Sequence, residues 1–125
     1  MPNLPILWEL FPDHPQLLQT EFECSDTLKT KGYVQKPIVG RCGANIAIIN
    51  SGTTLAETQG QFHTQDIIYQ ELFPLPQLDN KYIQICSFTV GGKYAGACTR
   101  TDPSMIVTSE SDILPLRIID SDTLV

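Results

Sequence analysis

The stretch KPIVGRCGANIAIIN, residues 36–50, decides the fold because it predicts two strands joined by a glycine-containing loop. Two glycines, Gly40 and Gly43, bracket Arg41 and Cys42 between the two apolar runs. Glycine permits positive φ angles, so consecutive backbone N–H groups of such a loop can turn toward one point and bind an anion. The plainer alternative is a hairpin turn in which the glycines serve geometry alone, because a Gly-x-x-Gly spacing is weak evidence.

Outward from this loop, apolar runs bounded by turn residues predict further strands. Gly91 and Gly92 separate two long runs, and a Gly-Gly pair favours the tight turn of a hairpin over residues 81–100. The other predicted strands cover residues 33–39, 45–50, 53–57, 66–73, 104–107 and 113–119. We therefore expect about six to eight strands. They form a predominantly antiparallel β arrangement with a few short helices, an α+β fold that is a single unit over residues 1–125.

Helix signals are fewer. Ser25 is placed to cap a short helix that ends at Gly32, with two lysines in its last turn. Four of the first fifteen residues are proline, which predicts an irregular start to the chain. Asp13 then offers a cap for a helical turn or two over residues 15–22.

The composition is that of a globular chain. Of 125 residues, 42% are apolar and 18% are charged, which permits a domain with its own core. The net charge is −6 and the eight basic residues are scattered, so a groove for nucleic acid is not expected. No apolar run reaches the ~20 residues that span a bilayer, and residues 1–15 lack the features of a secretory signal. We therefore expect no membrane association and a cytoplasmic location.

The four cysteines do not form a recognisable motif. Cys24, Cys42, Cys86 and Cys98 have neither CxxC nor zinc-ligand spacing, and the two histidines stand apart. We expect free thiols that serve packing, with disulfides or a metal as the less favoured alternatives. No metal ligand is predicted within this chain.

Several stretches, in order along the chain, carry a resemblance to a known enzyme family. They are KGYVQKPIVGRCGANI, TLAETQGQF, IIYQELF and the hairpin that continues into CTRTDPSMIV. With LPILWELFPDHPQLL near the start, they resemble the C-terminal part of the glutathionylspermidine synthase family over nearly the whole chain. The resemblance implies part of a permuted ATP-grasp fold and an ATP-dependent carbon–nitrogen ligase. In that family the glycine carboxylate of glutathione is activated as an acyl phosphate, and an amine of spermidine then attacks it.

The resemblance also implies roles for the opening stretch, a glycine-rich lid over residues 36–50. Lys36 is expected to contact the nucleotide, because a lysine ammonium suits a phosphate oxygen. The lid residues expected to cover the phosphates are Gly40, Arg41, Cys42, Gly43, Ala44 and Asn45. The alternatives are a solvated strand lysine at position 36 and a solvated arginine at position 41.

Two further sites follow from the resemblance. In a hinge over residues 66–73, Gln70, Glu71 and Leu72 are expected to hold the adenine through backbone groups and apolar contact; the alternative is a plain buried strand. Arg100 matches a catalytic arginine directed at the reacting carboxylate and the transferred phosphoryl group, where a guanidinium offsets developing charge. Its alternative is an ion pair with Asp102.

The resemblance places part of the catalytic site outside this sequence. ATP and Mg²⁺ are the implied cofactors, but the family's metal ligands and a second catalytic arginine belong to a segment upstream of the matched region. We therefore expect a C-terminal fragment of a longer ligase, inactive alone, whose parent uses glutathione and a polyamine.

Two other functions stay open. The parent ligase joins a different acid and amine, since no residue here selects glutathione or spermidine. Alternatively the chain is a non-catalytic β-rich module that binds a nucleotide weakly or self-associates. An incomplete ATP-grasp core exposes apolar surface and strand edges, which favours a homo-oligomer.

Overall fold

The computed structural model describes residues 3–117. In this part of the chain the elements are α1 (Asn3–Leu10), β1 (Thr20–Glu21), α2 (Asp26–Lys31), β2 (Tyr33–Pro37), β3 (Ala47–Asn50), β4 (Thr53–Glu57), β5 (Ile67–Glu71), β6 (Gln77–Leu78), β7 (Lys81–Val90), β8 (Lys93–Asp102) and β9 (Asp112–Pro115). The predicted class, mostly antiparallel β with short helices, is confirmed. The strands outnumber the prediction because the two-residue strands β1 and β6 are defined only by their pairing.

The strands form two sheets in which every pair is antiparallel. The first sheet has the order β1-β5-β2-β3-β4 and the second has the order β6-β7-β8-β9. Strands β2 and β5 lie inside the first sheet and pair over five positions, from Tyr33↔Glu71 to Pro37↔Ile67. The loop over residues 38–46, called the lid loop below, connects β2 to its neighbour β3.

The prediction of an irregular start to the chain is wrong. Residues Asn3–Leu10 form helix α1, and the Phe11 N–H continues it by donating to the Leu7 carbonyl at 2.9 Å. Pro5 lies in the first turn, where backbone N–H groups have no partner within the helix, so proline costs no hydrogen bond there. The prolines mark where this helix can begin and end; they do not exclude it.

The helical turns predicted over residues 15–22 are also absent. Asp13 adopts a left-handed φ of 61° and does not cap a helix. Thr20–Glu21 instead pair with β5, and the Gln19 carbonyl accepts a hydrogen bond from the Glu71 N–H at 2.8 Å. The backbone groups on the edge of β5 thus outweigh a weak local helix signal, because each needs a partner.

Helix α2 forms where the sequence predicts it. The Ser25 side chain accepts a hydrogen bond from the Leu28 N–H at 3.4 Å, which is N-cap geometry, and Gly32 follows the helix with a φ of 87°. Leu28 is fully buried against the first sheet. A half-exposed ion pair of 3.2 Å between Lys31 and Glu71 ties the end of α2 to β5.

The buried aliphatic core is small. Its members among the described residues are Leu28, Ile48, Ile68 and Ile106. Ile48 lies opposite Val34 on β2, and directly opposed residues of an antiparallel pair point to one face of the sheet. Two of the residues predicted to form the site, Lys36 and Gln70, lie on that same face, because Gln70 is also opposite Val34 and Lys36 is two residues further along β2.

The long hairpin of the second sheet is confirmed. Strands β7 and β8 pair from Tyr82↔Asp102 to Val90↔Lys93 around Gly91 and Gly92, with one register shift near Phe88.

The strand predicted over residues 104–107 is not formed. The Asp102 carboxylate accepts hydrogen bonds from the Ser104 N–H at 2.7 Å and from the Ser111 hydroxyl, which folds this segment into a compact loop. Serine and aspartate side chains thus replace the ladder, as they do in turns. The strand predicted over residues 113–119 is observed as β9, which ends at Pro115. Residues 118 and 119 of the predicted strand lie outside the described part of the chain.

Candidate functional site

A cleft of about 370 Å³ lies between the two sheets. Val34 and Ile48 of the first sheet line one side of it, and Gln84 and Arg100 of the second sheet line the other. The remaining lining residues come from the lid loop, the end of β5 and the loop after β8; they are Cys42, Gly43, Ile46, Leu72, Phe73, Pro74, Leu75, Met105, Ile106 and Val107. Its volume and its mostly apolar walls with a few polar groups are those of a small-molecule site.

The lid loop has three left-handed residues, and two of them, Cys42 and Gly43, line this cleft. Cys42 and Gly43 have φ angles of 53° and 68°, and Asn45 has 56°. Gly40, which we expected to share this role, is not in the positive-φ region. Within residues 3–117, the N–H groups of Cys42 and Gly43 have no hydrogen-bond acceptor, whereas the Ala44 N–H donates to the Arg41 carbonyl at 3.1 Å. Successive backbone N–H groups in a turn conformation can together form an anion-binding concavity.

The lid loop is anchored on both sides. The Thr58 hydroxyl donates to the Gly43 carbonyl, and the Ile46 N–H donates to the Thr58 hydroxyl oxygen at 3.1 Å. The Asn45 side chain accepts from the Phe62 N–H at 2.8 Å. A methyl group on Gly43 would lie 2.5 Å from the Val107 carbonyl oxygen. Asn45 therefore acts in this structure as a support for the loop and does not face the cleft.

Lys36 lies beside the lid loop. A smaller cavity of about 160 Å³ is lined by Lys36, Pro37, Ile46 and the loop residues 40–44. The Lys36 ammonium donates to the Gln70 side-chain oxygen at 2.6 Å. The Gln70 side-chain nitrogen in turn donates to the Thr20 hydroxyl at 3.0 Å. Desolvation by burial lowers the pKa of Lys36. No carboxylate in the described part of the chain forms an ion pair with it, so its charge is balanced only by dipoles.

The hinge residues are divided between structural and cleft positions. Leu72 lines the cleft, and Gln70 holds Lys36. The Glu71 side chain does not line the cleft and forms an ion pair with Lys31. The N–H groups of Glu71 and Leu72 already donate to the carbonyls of Gln19 and Gly32, at 2.8 and 3.0 Å. These two donors are therefore occupied, and a base edge at the hinge would have to use other backbone groups.

Arg100 is a half-buried cation of the second sheet. One terminal nitrogen donates to the Thr108 carbonyl, and no hydrogen-bond partner for its buried Nε lies among residues 3–117. The alternative ion pair with Asp102 is not formed, because Ser104 and Ser111 occupy that carboxylate. A buried donor without an acceptor is costly, so Arg100 has unused capacity for a ligand oxygen.

The exposed Arg41 lines the smaller cavity beside Lys36 and also a second, more open cleft of about 620 Å³. That open cleft is bounded by Thr58–Phe62 and Thr108–Glu110. The side chain of Arg41 therefore lies at the rim of the lid loop, outside the cleft between the sheets.

Sequence reasoning missed several residues of the cleft. Gln84 lies opposite Arg100 on the neighbouring strand, and Met105 and Val107 belong to the segment that was predicted as a strand. Side chains alternate between the two faces of a strand, so the hairpin register, once known, places the Gln84 side chain on the same face as the Arg100 side chain. Nothing in the local pattern identifies Met105 or Val107, because their position depends on how the Asp102 loop folds.

The described residues do not fit a magnesium site. No group of three or more His, Cys, Asp or Glu side chains occurs within residues 3–117 in an arrangement that holds a metal ion, whereas Mg²⁺ is bound through carboxylates.

Neither helix within residues 3–117 is long and apolar enough to cross a membrane.

Known proteins match this chain over nearly its whole length. A family model described as glutathionylspermidine synthase preATP-grasp matches residues 3–119. The bifunctional glutathionylspermidine synthetase/amidase of Escherichia coli (strain K12) is 51% identical over 117 residues, which are 93% of this chain and 19% of that protein. Trypanothione synthetase of Crithidia fasciculata is 41% identical over 116 residues, 92% of this chain and 18% of that protein. The chain thus spans about a fifth of the length of these curated relatives. It belongs to the glutathionylspermidine synthase family, and it is homologous to the preATP-grasp region of these ligases.

Proposed function

We propose that this chain supplies the nucleotide-binding part of an ATP-dependent acid–amine ligase. In the whole ligase, ATP converts the glycine carboxylate of glutathione into an acyl phosphate, and an amine of spermidine or a related polyamine displaces the phosphate to form an amide. The similarity of the chain to a glutathionylspermidine synthetase/amidase supports this pair of substrates. The nucleotide would occupy the cleft between the two sheets.

The observation that carries the proposal is the state of Arg100. It is half-buried at the cleft, its carboxylate neighbour is occupied, and its Nε has no partner among the described residues. A phosphoryl oxygen is the acceptor that a guanidinium fork binds best. We therefore assign Arg100 to the transferred phosphoryl group, where a preorganised cation stabilises the charge that develops.

The lid loop and Lys36 have complementary roles in this proposal. Cys42 and Gly43 line the same cleft as Arg100, and their N–H groups, which have no acceptor among residues 3–117, would donate to phosphate oxygens. Lys36, beside the loop, would give up its bond to Gln70 or share it with a phosphate. An anion there would recover the free energy that desolvation of the ammonium costs, which is why a lysine with a lowered pKa is suited to this position.

The adenine would lie on the apolar side of the cleft. Leu72 and Val34 line one wall, Met105 lines another, and the 64%-exposed Phe73 stands at the rim. Because the N–H groups of Glu71 and Leu72 are occupied, the proposed hinge contact falls to carbonyl oxygens and to the segment after β5. The described residues do not fit a magnesium site, so the proposal gives them no part in holding Mg²⁺.

The proposal is tested by calorimetric titration of the 125-residue chain with ADP and Mg²⁺. We expect binding that Lys36→Ala and Arg100→Ala each weaken by about tenfold or more, since a hydrogen bond to a charged group is worth about 1.5–3 kcal/mol. Lys93→Ala is the matched control, because Lys93 is an exposed lysine at the far end of the hairpin. Equal weakening by Lys93→Ala, or no heat from a chain with a normal melting transition, would remove the nucleotide site from this chain.

A second candidate function is a non-catalytic, self-associating module. Ile85 on β7 and Leu114 on β9 flank Thr99 of β8 on one face of the second sheet, and they are 67% and 45% exposed. Large aliphatic side chains are normally buried, and contiguous exposed ones mark contact surfaces. We propose that this face mediates the association of copies of the chain.

A further inference from the structure

Two of the four cysteines face each other on neighbouring strands. Cys86 of β7 and Cys98 of β8 are direct register partners. The only shift in this pair of strands lies further along, between Phe88 and Thr89, so the register at the two cysteines is regular. Both side chains are partly exposed and both are free thiols. Their positions in the chain, twelve residues apart, gave no sign of this pairing, which depends on the turn of the hairpin.

The spacing of opposed residues suits a disulfide. Directly opposed residues of an antiparallel pair have Cα atoms about 4.5–5.5 Å apart, and disulfides join Cα atoms about 4.4–6.8 Å apart. Side chains of such a pair leave the sheet on the same face. Cys24 precedes α2 and Cys42 is in the lid loop, so neither has a cysteine opposite it in a sheet.

We propose that Cys86 and Cys98 form a reversible disulfide by exchange with a small-molecule disulfide. One thiolate attacks the small disulfide, forms a mixed disulfide and releases one thiolate of the reagent. The second protein thiolate attacks the protein sulfur of the mixed disulfide, forms the Cys86–Cys98 bond and releases the other thiolate. Two protein thiols are oxidised and one small disulfide is reduced to two thiolates, which take up the two protons that the protein thiols lose and become thiols.

The surroundings determine how fast this exchange runs. Burial raises the pKa of the Cys86 thiol, opposed in part by the charge of Arg100. Because the thiolate is the reactive form, the bond forms slowly at neutral pH and faster as the pH rises. Within the described residues no third ligand joins the two sulfurs in a metal-binding cluster, so oxidation is the reaction that this pair favours.

The disulfide lies beside the cleft. Gln84 and Arg100 are the next register pair on the same face, and the Cys86 sulfur lies 4.0 Å from the Gln84 side-chain oxygen. A Cys86–Cys98 disulfide would fix the separation of β7 and β8 next to the side chains of Gln84 and Arg100. The prediction that oxidation alters the nucleotide affinity of the chain rests on the proposed function. The prediction that the disulfide forms does not.

The experiment is oxidation of the folded 125-residue chain with glutathione disulfide, followed by thiol titration and peptide mapping by mass spectrometry. We expect loss of two of the four thiols, a Cys86–Cys98 crosslink, and full recovery of thiols with a reductant. The rate is expected to increase about tenfold per pH unit below the thiol pKa, as thiolate chemistry requires. Cys86→Ser and Cys98→Ser each are expected to stop at a mixed disulfide with glutathione.

Two controls separate geometry from general reactivity. Cys24→Ser and Cys42→Ser are expected to keep the crosslink, and the wild-type chain unfolded in urea is expected to lose the preference for this pair. Mixed disulfides at both positions without a crosslink in the folded chain would overturn the proposal, as would unreacted Cys86 and Cys98 or crosslinks that involve other cysteines equally. A crosslink that leaves ADP binding unchanged would contradict only the link to the cleft.

Discussion

At the scale of single residues, the buried charge of Lys36 predicts a pH dependence of stability. Burial lowers its pKa from 10.5, so between the lowered value and 10.5 the unfolded chain binds more protons than the folded chain. Stability of the wild type therefore rises with pH in that window, relative to a variant that lacks the group. Below the window the full desolvation cost applies, and we expect Lys36→Met to be more stable than the wild type.

The measurement is urea unfolding of wild type and Lys36→Met at neutral pH and just below pH 10.5. We expect the advantage of the variant to shrink as the pH rises, and Lys93→Met, at an exposed site, is the control for the loss of a lysine. If Lys36→Met were less stable at every pH, the hydrogen bond to Gln70 would outweigh the desolvation of the charge.

At the scale of elements, the lid loop depends on the contact of Gly43 with the loop after β8. We expect Gly43→Ala to destabilise the chain by roughly 1–3 kcal/mol for the left-handed conformation, with a further cost for the clash. The added methyl would lie 2.5 Å from the Val107 carbonyl oxygen at a φ of 68°. The variant is also expected to weaken ADP binding, because Val107 and Gly43 both line the cleft.

Gly52→Ala is the matched control for this element. Gly52 has a φ of 74°, but nothing lies within 4 Å of a methyl group added to it. It carries the conformational cost alone, so the difference between the two unfolding free energies measures the contact with Val107. Equal costs for the two variants would mean that the lid loop is not held by that contact.

The elements were predictable where the signal is local. Helix α2 has its serine cap and its terminal glycine in the sequence, and the β7–β8 hairpin has its Gly-Gly turn and two long β-rich runs. Helix α1 lies where the prolines of residues 1–15 predict an irregular start, because a proline in the first turn removes no hydrogen bond from the helix. Strand β1 was not predicted because it depends on pairing with β5, which is distant in the sequence. The loop after β8 was not predicted because it depends on the hydrogen bond between the Ser111 hydroxyl and the Asp102 carboxylate.

At the scale of the whole molecule, the small core and the exposed second sheet predict self-association. We expect the average mass from light scattering to increase with protein concentration, because Ile85 and Leu114 expose apolar surface near the edges of a sheet. Ile85→Lys is expected to reduce the association, since it places a charge on that apolar face. The control is Leu55→Lys on β4, at a similarly exposed leucine of the other sheet. A monomeric wild type at high concentration would contradict this prediction.

The amino-acid sequence by itself determined the class of fold, the α2 helix, the long hairpin and the family, because caps, turns and ordered motifs are local and survive in the order of residues. It also singled out Lys36, the lid loop and Arg100 through that family resemblance. Only the tertiary structure decided that the Asn45 and Glu71 side chains are occupied elsewhere, that Gln84 and Met105 join the cleft, and that Cys86 meets Cys98. These facts depend on which strands pair and in which register, and pairing between distant segments leaves no periodic signal in either segment alone.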